Sequence, residues 1–141
     1  MTDAKFEKLT RSAKPLYGPR KLLLFGFPAA AQTKFAAVLE LAGIADVPLV
    51  WVTANQAEAV VADLLNLAGG TGAGSGSTLA RAVLVAGITE VELHRLMTVC
   101  RKTGMRQALW AALTPTSEKW PARRLLEELS TERAAMQAKR R

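Results

Sequence analysis

The sequence predicts an α/β fold built from two βαβα units, with four mostly parallel strands and helices packed on the sheet. Short continuous apolar runs alternate with longer segments of helical period, and a glycine-rich stretch lies between the two units. The 141 residues are 50% hydrophobic and 22% charged, which is typical of a globular chain long enough for one compact domain. Each strand–helix–strand unit favours a right-handed crossover and parallel pairing.

Four apolar runs are predicted as strands. Because they are continuously hydrophobic, we expect them to be covered on both faces. They are KLLLFGF (21–27), DVPLVWVT (46–53), RAVLVAGI (81–88) and QALWAALT (107–114).

Two helices are predicted in the first unit. In residues 28–43, apolar side chains recur at the i, i+3, i+4, i+7 spacing of one helix face, and Gly43 suits a left-handed C-cap. These side chains are Phe35, Val38, Leu39 and Ala42. The second helix, AVVADLLNLA (59–68), follows Asn55 and Glu58, which resemble a capping box.

Two further helices are predicted in the second unit. Thr89 and Glu92 resemble a capping box, and Gly104 suits the C-cap of the helix that follows. Its apolar face comprises Leu93, Leu96, Met97 and Cys100. Pro121 suits the first turn of the last helix (122–138), with Thr116 or Ser117 as candidate caps upstream.

An internal duplication is predicted, because residue i corresponds to residue i+61 without a gap. Gly26 falls on Gly87, and Thr53 falls on Thr114. A sheet of order 2-1-3-4 and two half-sheets related by a pseudo-twofold both satisfy this pattern. The alternative is a ferredoxin-like α+β fold, which expects a further strand pairing.

The chain is expected to form a single compact domain with five segments. These are a basic N-terminal arm (1–19), the first βαβα unit (20–68), a Gly/Ser-rich flexible linker (69–78), the second unit (79–138) and a basic tail (139–141).

The glycine-rich stretch, AGGTGAGSGST (68–78), fails as a phosphate-binding loop. It has no lysine for a Walker A loop, and it does not complete the G-x-G-x-x-G dinucleotide fingerprint. It also follows a helix and precedes a strand, which is the reverse of the order that places an anion at a helix N-terminus. Its composition therefore predicts a flexible linker.

The net charge of +7 is unevenly distributed. Residues 1–21 and 81–141 are basic, whereas residues 22–80 carry Lys34 against four acidic side chains. Basic ends around an acidic middle favour binding to polyanions or attraction between copies of the chain. The simpler interpretation is a basic surface that is only solvated.

The single cysteine, and apolar runs too short for a signal peptide or a membrane span, favour a cytoplasmic protein with no membrane contact.

No catalytic residues, metal ligands or cofactors are predicted. His94 is the only histidine, and its spacing to Cys100 is not the i, i+4 spacing of a helical metal pair. Cys100 is expected to be a small core residue and His94 an exposed one. Whether the protein is an enzyme stays open, with a non-enzymatic role favoured.

A candidate ligand edge is predicted where the strands end, because ligands of open α/β sheets bind at the carboxyl ends of parallel strands. Capping of the helices that follow is the competing interpretation. The candidate residues are Gly26, Thr53, Asn55, Gly87, Thr89, Thr114 and Thr116.

A candidate interaction surface is predicted from Trp120, Arg123 and Arg124 at the last helix. Aromatic anchors are enriched in interfaces, although packing against the helix also explains Trp120. Trp51 and Trp110 lie in predicted strands and are expected in the core.

The second half contains a strand ending in Gly87, followed by Thr114, Trp120, and Leu125-Leu126 with Leu129 and Glu132. In these features it resembles a small bacterial protein family of unknown function, and residues 14–27 also resemble the start of such proteins. The resemblance implies a bacterial origin and no particular activity.

The leading functional hypothesis is a non-enzymatic interaction or regulatory module that binds a protein partner or itself through its basic second half. Nucleic-acid binding through the basic termini is one alternative, although it depends on charge alone. Small-ligand binding at the C-terminal edge of the sheet is another.

Overall fold

The computed structural model describes residues 14–105 and 108–139, which form four strands and four helices. In chain order these are β1 (Lys21–Phe25), α1 (Ala29–Ala42), β2 (Leu49–Val52), α2 (Val61–Leu65), β3 (Ala82–Ala86), α3 (Glu90–Lys102), β4 (Leu109–Ala112) and α4 (Ala122–Lys139). The predicted α/β class is confirmed. Most of the predicted N-terminal arm and of the basic tail lies outside the described residues.

The sheet has the order β2-β1-β3-β4. Within each half the strands are parallel, β1 with β2 and β3 with β4. The central pair, β1 and β3, is antiparallel, with Leu23 opposite Leu84. The sheet is therefore mostly parallel, as predicted, but its two halves run in opposite directions.

The glycine-rich stretch explains why the halves are opposed. After β2, the chain passes through the short helix α2 and reaches the end of the sheet where β1 starts. There the Lys21 ammonium group donates to the Leu65 carbonyl oxygen at 2.7 Å. Residues 70 and 71 then lie beside β2: the Gly70 N–H donates to the Leu49 carbonyl oxygen at 2.7 Å, and the Trp51 N–H donates to the Thr71 carbonyl oxygen at 2.9 Å. The stretch thus returns the chain to the end of the sheet where β2 finishes, so β3 starts there and runs antiparallel to β1.

Residues 69–75 connect the two halves and also contact the fold. The buried Gln32 side chain donates to the Ser75 carbonyl oxygen at 2.9 Å and accepts from the Gly74 N–H at 2.8 Å. Gly72 approaches β2 so closely that a Cβ at this position would lie 2.1 Å from the Trp51 carbonyl oxygen. The stretch therefore covers the outer edge of β2, which a freely moving linker would leave open.

Two apolar layers enclose the sheet because successive strand residues point to opposite faces. Leu22 and Leu24 pack with α1 and α3, whereas Leu23 and Phe25 pack with α2 and α4. All four side chains are at most 1% exposed. The continuous hydrophobicity of the predicted strands is thus explained by helices on both faces.

The register agrees with a twofold relation between the halves. Leu22 pairs with Leu49 in the first half, and the corresponding Val83 pairs with Trp110 in the second. The central pair of Leu23 and Leu84 joins two residues that the predicted duplication makes equivalent. Common ancestry of the two units stays a prediction.

The helix signals are only partly correct. Thr89 and Glu92 form the predicted capping box of α3, and Gly43 and Gly104 adopt positive φ angles of 77° and 71° at the ends of α1 and α3. The predicted box at Asn55 and Glu58 is wrong. Thr53 and Gln56 instead form a capping box on a 3₁₀ turn over Ala54–Gln56, and α2 begins only at Val61.

Candidate functional site

The predicted ligand edge is divided between two ends of the sheet. Gly26, Thr53 and Asn55 follow β1 and β2, whereas Gly87, Thr89, Thr114 and Thr116 follow β3 and β4. Because β1 and β3 are antiparallel, these two groups lie at opposite ends. The prediction placed them on a single edge, which requires all four strands to be parallel, and that assumption is wrong.

The end after β3 is crossed by residues 15–20. The Leu16 N–H donates to the Ile88 carbonyl oxygen at 2.7 Å, and the Gly87 N–H donates to the Tyr17 carbonyl oxygen at 3.3 Å. A Cβ on Gly87 would lie 2.4 Å from the Arg20 nitrogen. This end is therefore closed by the chain itself and offers no cleft beside Gly87.

An ion-pair cluster fixes the same segment. The Arg20 guanidinium group donates two 2.7 Å hydrogen bonds to the Glu92 carboxylate and a 3.1 Å bond to Asp46. The hydrogen bonds from Arg20 lower the pKa of Glu92 to about 2, and they also lower the pKa of the Asp46 carboxyl group. Sequence reasoning missed this cluster, although the correspondence of Arg20 with Arg81 in the duplicated register singles out that position.

Most of the predicted edge hydroxyl groups cap local structure. The Thr89 oxygen accepts from the Glu92 N–H at 3.0 Å. Thr53 bonds Asn55 and Gln56 within its own turn. The Thr114 hydroxyl oxygen accepts from the Ser117 N–H at 2.9 Å. These contacts favour the capping interpretation for the three threonines.

Thr116 and Gly26 complete the predicted edge and show no ligand geometry. Thr116 is exposed and precedes the 3₁₀ turn Ser117–Lys119, without a side-chain cap bond. Gly26 has a φ of 73°, and a Cβ there would lie 2.3 Å from the Leu79 carbonyl oxygen. The chain before β3 thus crosses Gly26 just as residues 19–20 cross Gly87.

The predicted interaction surface at α4 has partners within the chain. The Arg124 guanidinium lies 4.6 Å from the centre of the Trp120 ring. Arg123 forms ion pairs with Glu58 at 2.8 Å and Glu127 at 3.1 Å. Trp120 itself is half-buried against the layer formed by α2 and α4. The geometry thus favours the packing role of Trp120 and attaches the start of α4 to the first half.

The outer edge of β4 differs from that of β2. The N–H groups of Leu109 and Leu113 donate towards β3, at 3.0 Å and 2.9 Å. Because peptide groups alternate along a strand, Trp110 and Ala112 present their N–H and carbonyl groups outwards. The equivalent positions of β2, Leu49 and Trp51, are bonded by the glycine-rich stretch. Among the described residues, no backbone group pairs with the outward side of β4.

A cavity of about 420 Å³ lies beside β4, on the face covered by α1 and α3. Its apolar lining comes from Phe27, Phe35, Val83, Met97, Cys100, Met105 and Trp110. Two cationic side chains, Arg101 of α3 and Arg133 of α4, also line it. Trp110 is consequently half-buried, whereas Trp51 is in the core as predicted.

The distant half of α4 explains how Arg133 reaches this cavity. α4 has 18 residues, about 27 Å, whereas β4 has four residues, about 13 Å. Arg133 lies 11 residues after the first residue of α4, about 17 Å along the helix, which is more than the length of β4. Part of the cavity lining is visible in the sequence, because Met97 and Cys100 share the apolar face of a predicted helix. That pattern alone predicts core residues and does not indicate a cavity.

Reactive groups near the cavity are few. Burial raises the pKa of the Cys100 thiol to about 11, so little thiolate exists at neutral pH. His94 is exposed on α3, as expected, and does not line this cavity. Across residues 14–105 and 108–139, no group of three or more His, Cys, Asp or Glu side chains is arranged to hold a metal ion.

None of the described helices combines the length and apolar character needed to cross a membrane.

Comparisons with curated proteins and with solved structures gave no match. A family model does match the region that contains β3, α3, β4 and α4, which is less than half of the chain. Residues 81–136 match the family described as Domain of unknown function (DUF3783), which confirms the predicted resemblance of the second half to a family of unknown function.

Proposed function

We propose that this protein is a non-enzymatic interaction module that receives an extended segment of a protein partner at the open edge of β4. The single observation that carries the proposal is the difference between the two outer strands. The glycine-rich stretch covers β2, whereas no described residue bonds the outward backbone groups of Trp110 and Ala112. An added strand would supply the missing backbone hydrogen bonds.

The charge of the second half indicates the kind of segment. Residues 81–141 carry twelve basic and six acidic side chains, and Arg101, Lys102 and Arg133 lie on the helices that flank β4. A second copy would bring the same basic surface to the edge, where like charges repel. An extended segment that alternates acidic and apolar residues is therefore the better complement, and the cytoplasm is its proposed setting.

Nuclear magnetic resonance with a defined peptide tests this proposal. The probe is a ten-residue peptide of alternating valine and glutamate, with a valine–lysine peptide as the matched control. The acidic peptide should slow the hydrogen exchange of the Trp110 and Ala112 amides, which point outwards. The amides of Leu109 and Leu113 already donate to β3 and should change little.

A substitution at the same edge supplies the control. Ala112→Pro removes one outward N–H and should abolish the protection, whereas Ala112→Ser keeps the N–H and should retain it. Equal protection by both peptides would refute the charge argument, and no protection by either would refute strand addition. Light scattering that shows a dimer, or protection by a short single-stranded RNA instead, would replace this proposal with self-association or nucleic-acid binding.

A further inference from the structure

We propose that the cavity beside β4 binds a small apolar carboxylate, such as a medium-chain fatty acid or an arylalkanoic acid. Its volume of about 420 Å³ lies in the range of small-molecule sites. The inference shares Arg101 and Arg133 with the proposed function, but it concerns the space between the sheet and α3 rather than the backbone edge of β4, so labelling of Cys100 tests it separately.

The lining determines the body of the ligand. Aromatic rings from Phe27, Phe35 and Trp110 line it together with the thioether groups of Met97 and Met105. None of the described lining residues is acidic. Flexible methionines and flat rings adapt to alkyl and aryl groups alike, so the site selects an apolar body without selecting one shape.

The two arginines determine the head group. Arg101 and Arg133 come from different helices and line the same cavity. Within the described residues, neither forms an ion pair or a side-chain hydrogen bond, whereas Arg20 and Arg123 each bind two carboxylates. Two guanidinium groups that pair with no carboxylate of the described residues, next to an apolar space, favour a ligand that brings its own negative charge.

The cavity is suited to binding rather than to chemistry. Among the described residues, Cys100 is the only nucleophilic side chain that lines it, and this thiol is half-buried. The described lining contains no carboxylate, histidine or lysine to activate it. Cys100 is also the only cysteine of the chain, so it reports on occupation of the cavity without interference.

The test uses the full chain and measures the rate at which iodoacetamide labels Cys100. Decanoate should slow labelling at least fivefold at saturation. Decanol has the same chain without the charge and should bind at least tenfold more weakly, and acetate should give no protection. Naphthylacetate in place of decanoate distinguishes an aryl from an alkyl ligand.

Matched charge variants assign the head group. Arg101→Gln and Arg133→Gln should each weaken decanoate binding about tenfold, whereas Lys102→Gln removes an exposed charge from the same helix end and should change it less than twofold. Circular dichroism of each variant establishes that the fold is retained. The proposal is overturned if decanol protects as well as decanoate, if the arginine variants match Lys102→Gln, or if decanoate gives no protection at millimolar concentration.

Discussion

Replacing Gly72 by alanine tests whether the glycine-rich stretch is part of the fold. Gly72 has a φ of 79°, and its added Cβ would lie 2.1 Å from the Trp51 carbonyl oxygen. Because that oxygen belongs to the backbone of a buried strand, the stretch must move away from β2. It would then lose the hydrogen bonds that join Gly70 to Leu49 and Thr71 to Trp51.

The expected cost follows from these contacts. Each lost backbone hydrogen bond costs about 0.5–1.5 kcal/mol. The left-handed conformation adds about 1–2 kcal/mol for alanine, and the smaller freedom of the unfolded chain offsets about 0.4–1 kcal/mol. Gly72→Ala should therefore lower the free energy of unfolding by about 2–4 kcal/mol, which corresponds to a fall in Tm of roughly 6–15 °C.

Gly74→Ala is the matched control. Gly74 has a similar φ of 85°, but a Cβ there meets nothing within 4 Å, and the N–H that binds Gln32 is kept. This variant should lose no more than about 1.5 kcal/mol, because only the left-handed conformation is penalised and the smaller freedom of the unfolded chain offsets part of that penalty. Urea unfolding followed by circular dichroism measures both. If the two variants agree within about 0.5 kcal/mol, the stretch behaves as a linker and the structural argument is refuted.

Three further predictions concern charge, packing and reactivity. Glu92→Gln should lower the free energy of unfolding by about 1–2 kcal/mol at pH 7, since a pKa lowered from 4.5 to about 2 sets a ceiling of about 3 kcal/mol and the partly exposed Arg20 reduces it. Since the folded-state pKa is depressed, this contribution is present above pH 4.5 and is lost as the pH falls towards 2; a difference in unfolding free energy that persists at pH 2 would contradict it. Leu84→Ala should cost about 2–5 kcal/mol in urea unfolding, because Leu84 is 1% exposed and faces Leu23 at the centre of the sheet; a loss below 1 kcal/mol would contradict this packing. Alkylation of Cys100 should accelerate about tenfold per pH unit from pH 8 to 10, because its pKa is about 11, and a plateau above pH 9 would show an unperturbed thiol.

The strands and the longer helices were predictable because their signals are local. Continuous hydrophobicity marks β1 and β3, and the Thr89–Glu92 capping box marks the start of α3. The direction of β3 was not predictable, because it depends on where the glycine-rich stretch returns the chain. Because β3 runs opposite to β1, the residues of the predicted ligand edge lie in two groups at opposite ends of the sheet.

The extent of the second helix and the presence of the cavity were also not predictable, because both depend on contacts between residues that are far apart in the sequence. Residues 59–68 have helical composition, but only Val61–Leu65 form a helix, since the chain at Val60 pairs with Pro121 and Val61 bonds the Trp120 carbonyl oxygen. Arg133 lies 23 residues after Trp110 in sequence, yet both line the same cavity, and α4 is much longer than β4. Tertiary contacts of this kind leave no periodicity in the sequence.

The antiparallel contact between β1 and β3 makes each half of the chain the edge partner of the other. Cutting the chain within residues 70–77 would leave KLLLF as an unpaired apolar edge, a type of segment that promotes aggregation. In the intact chain, the covalent connection holds the complementary edge at a high effective concentration, so pairing within the molecule outcompetes pairing between molecules. The ten residues 69–78, nine of which are glycine, serine or threonine, therefore also protect the protein's solubility.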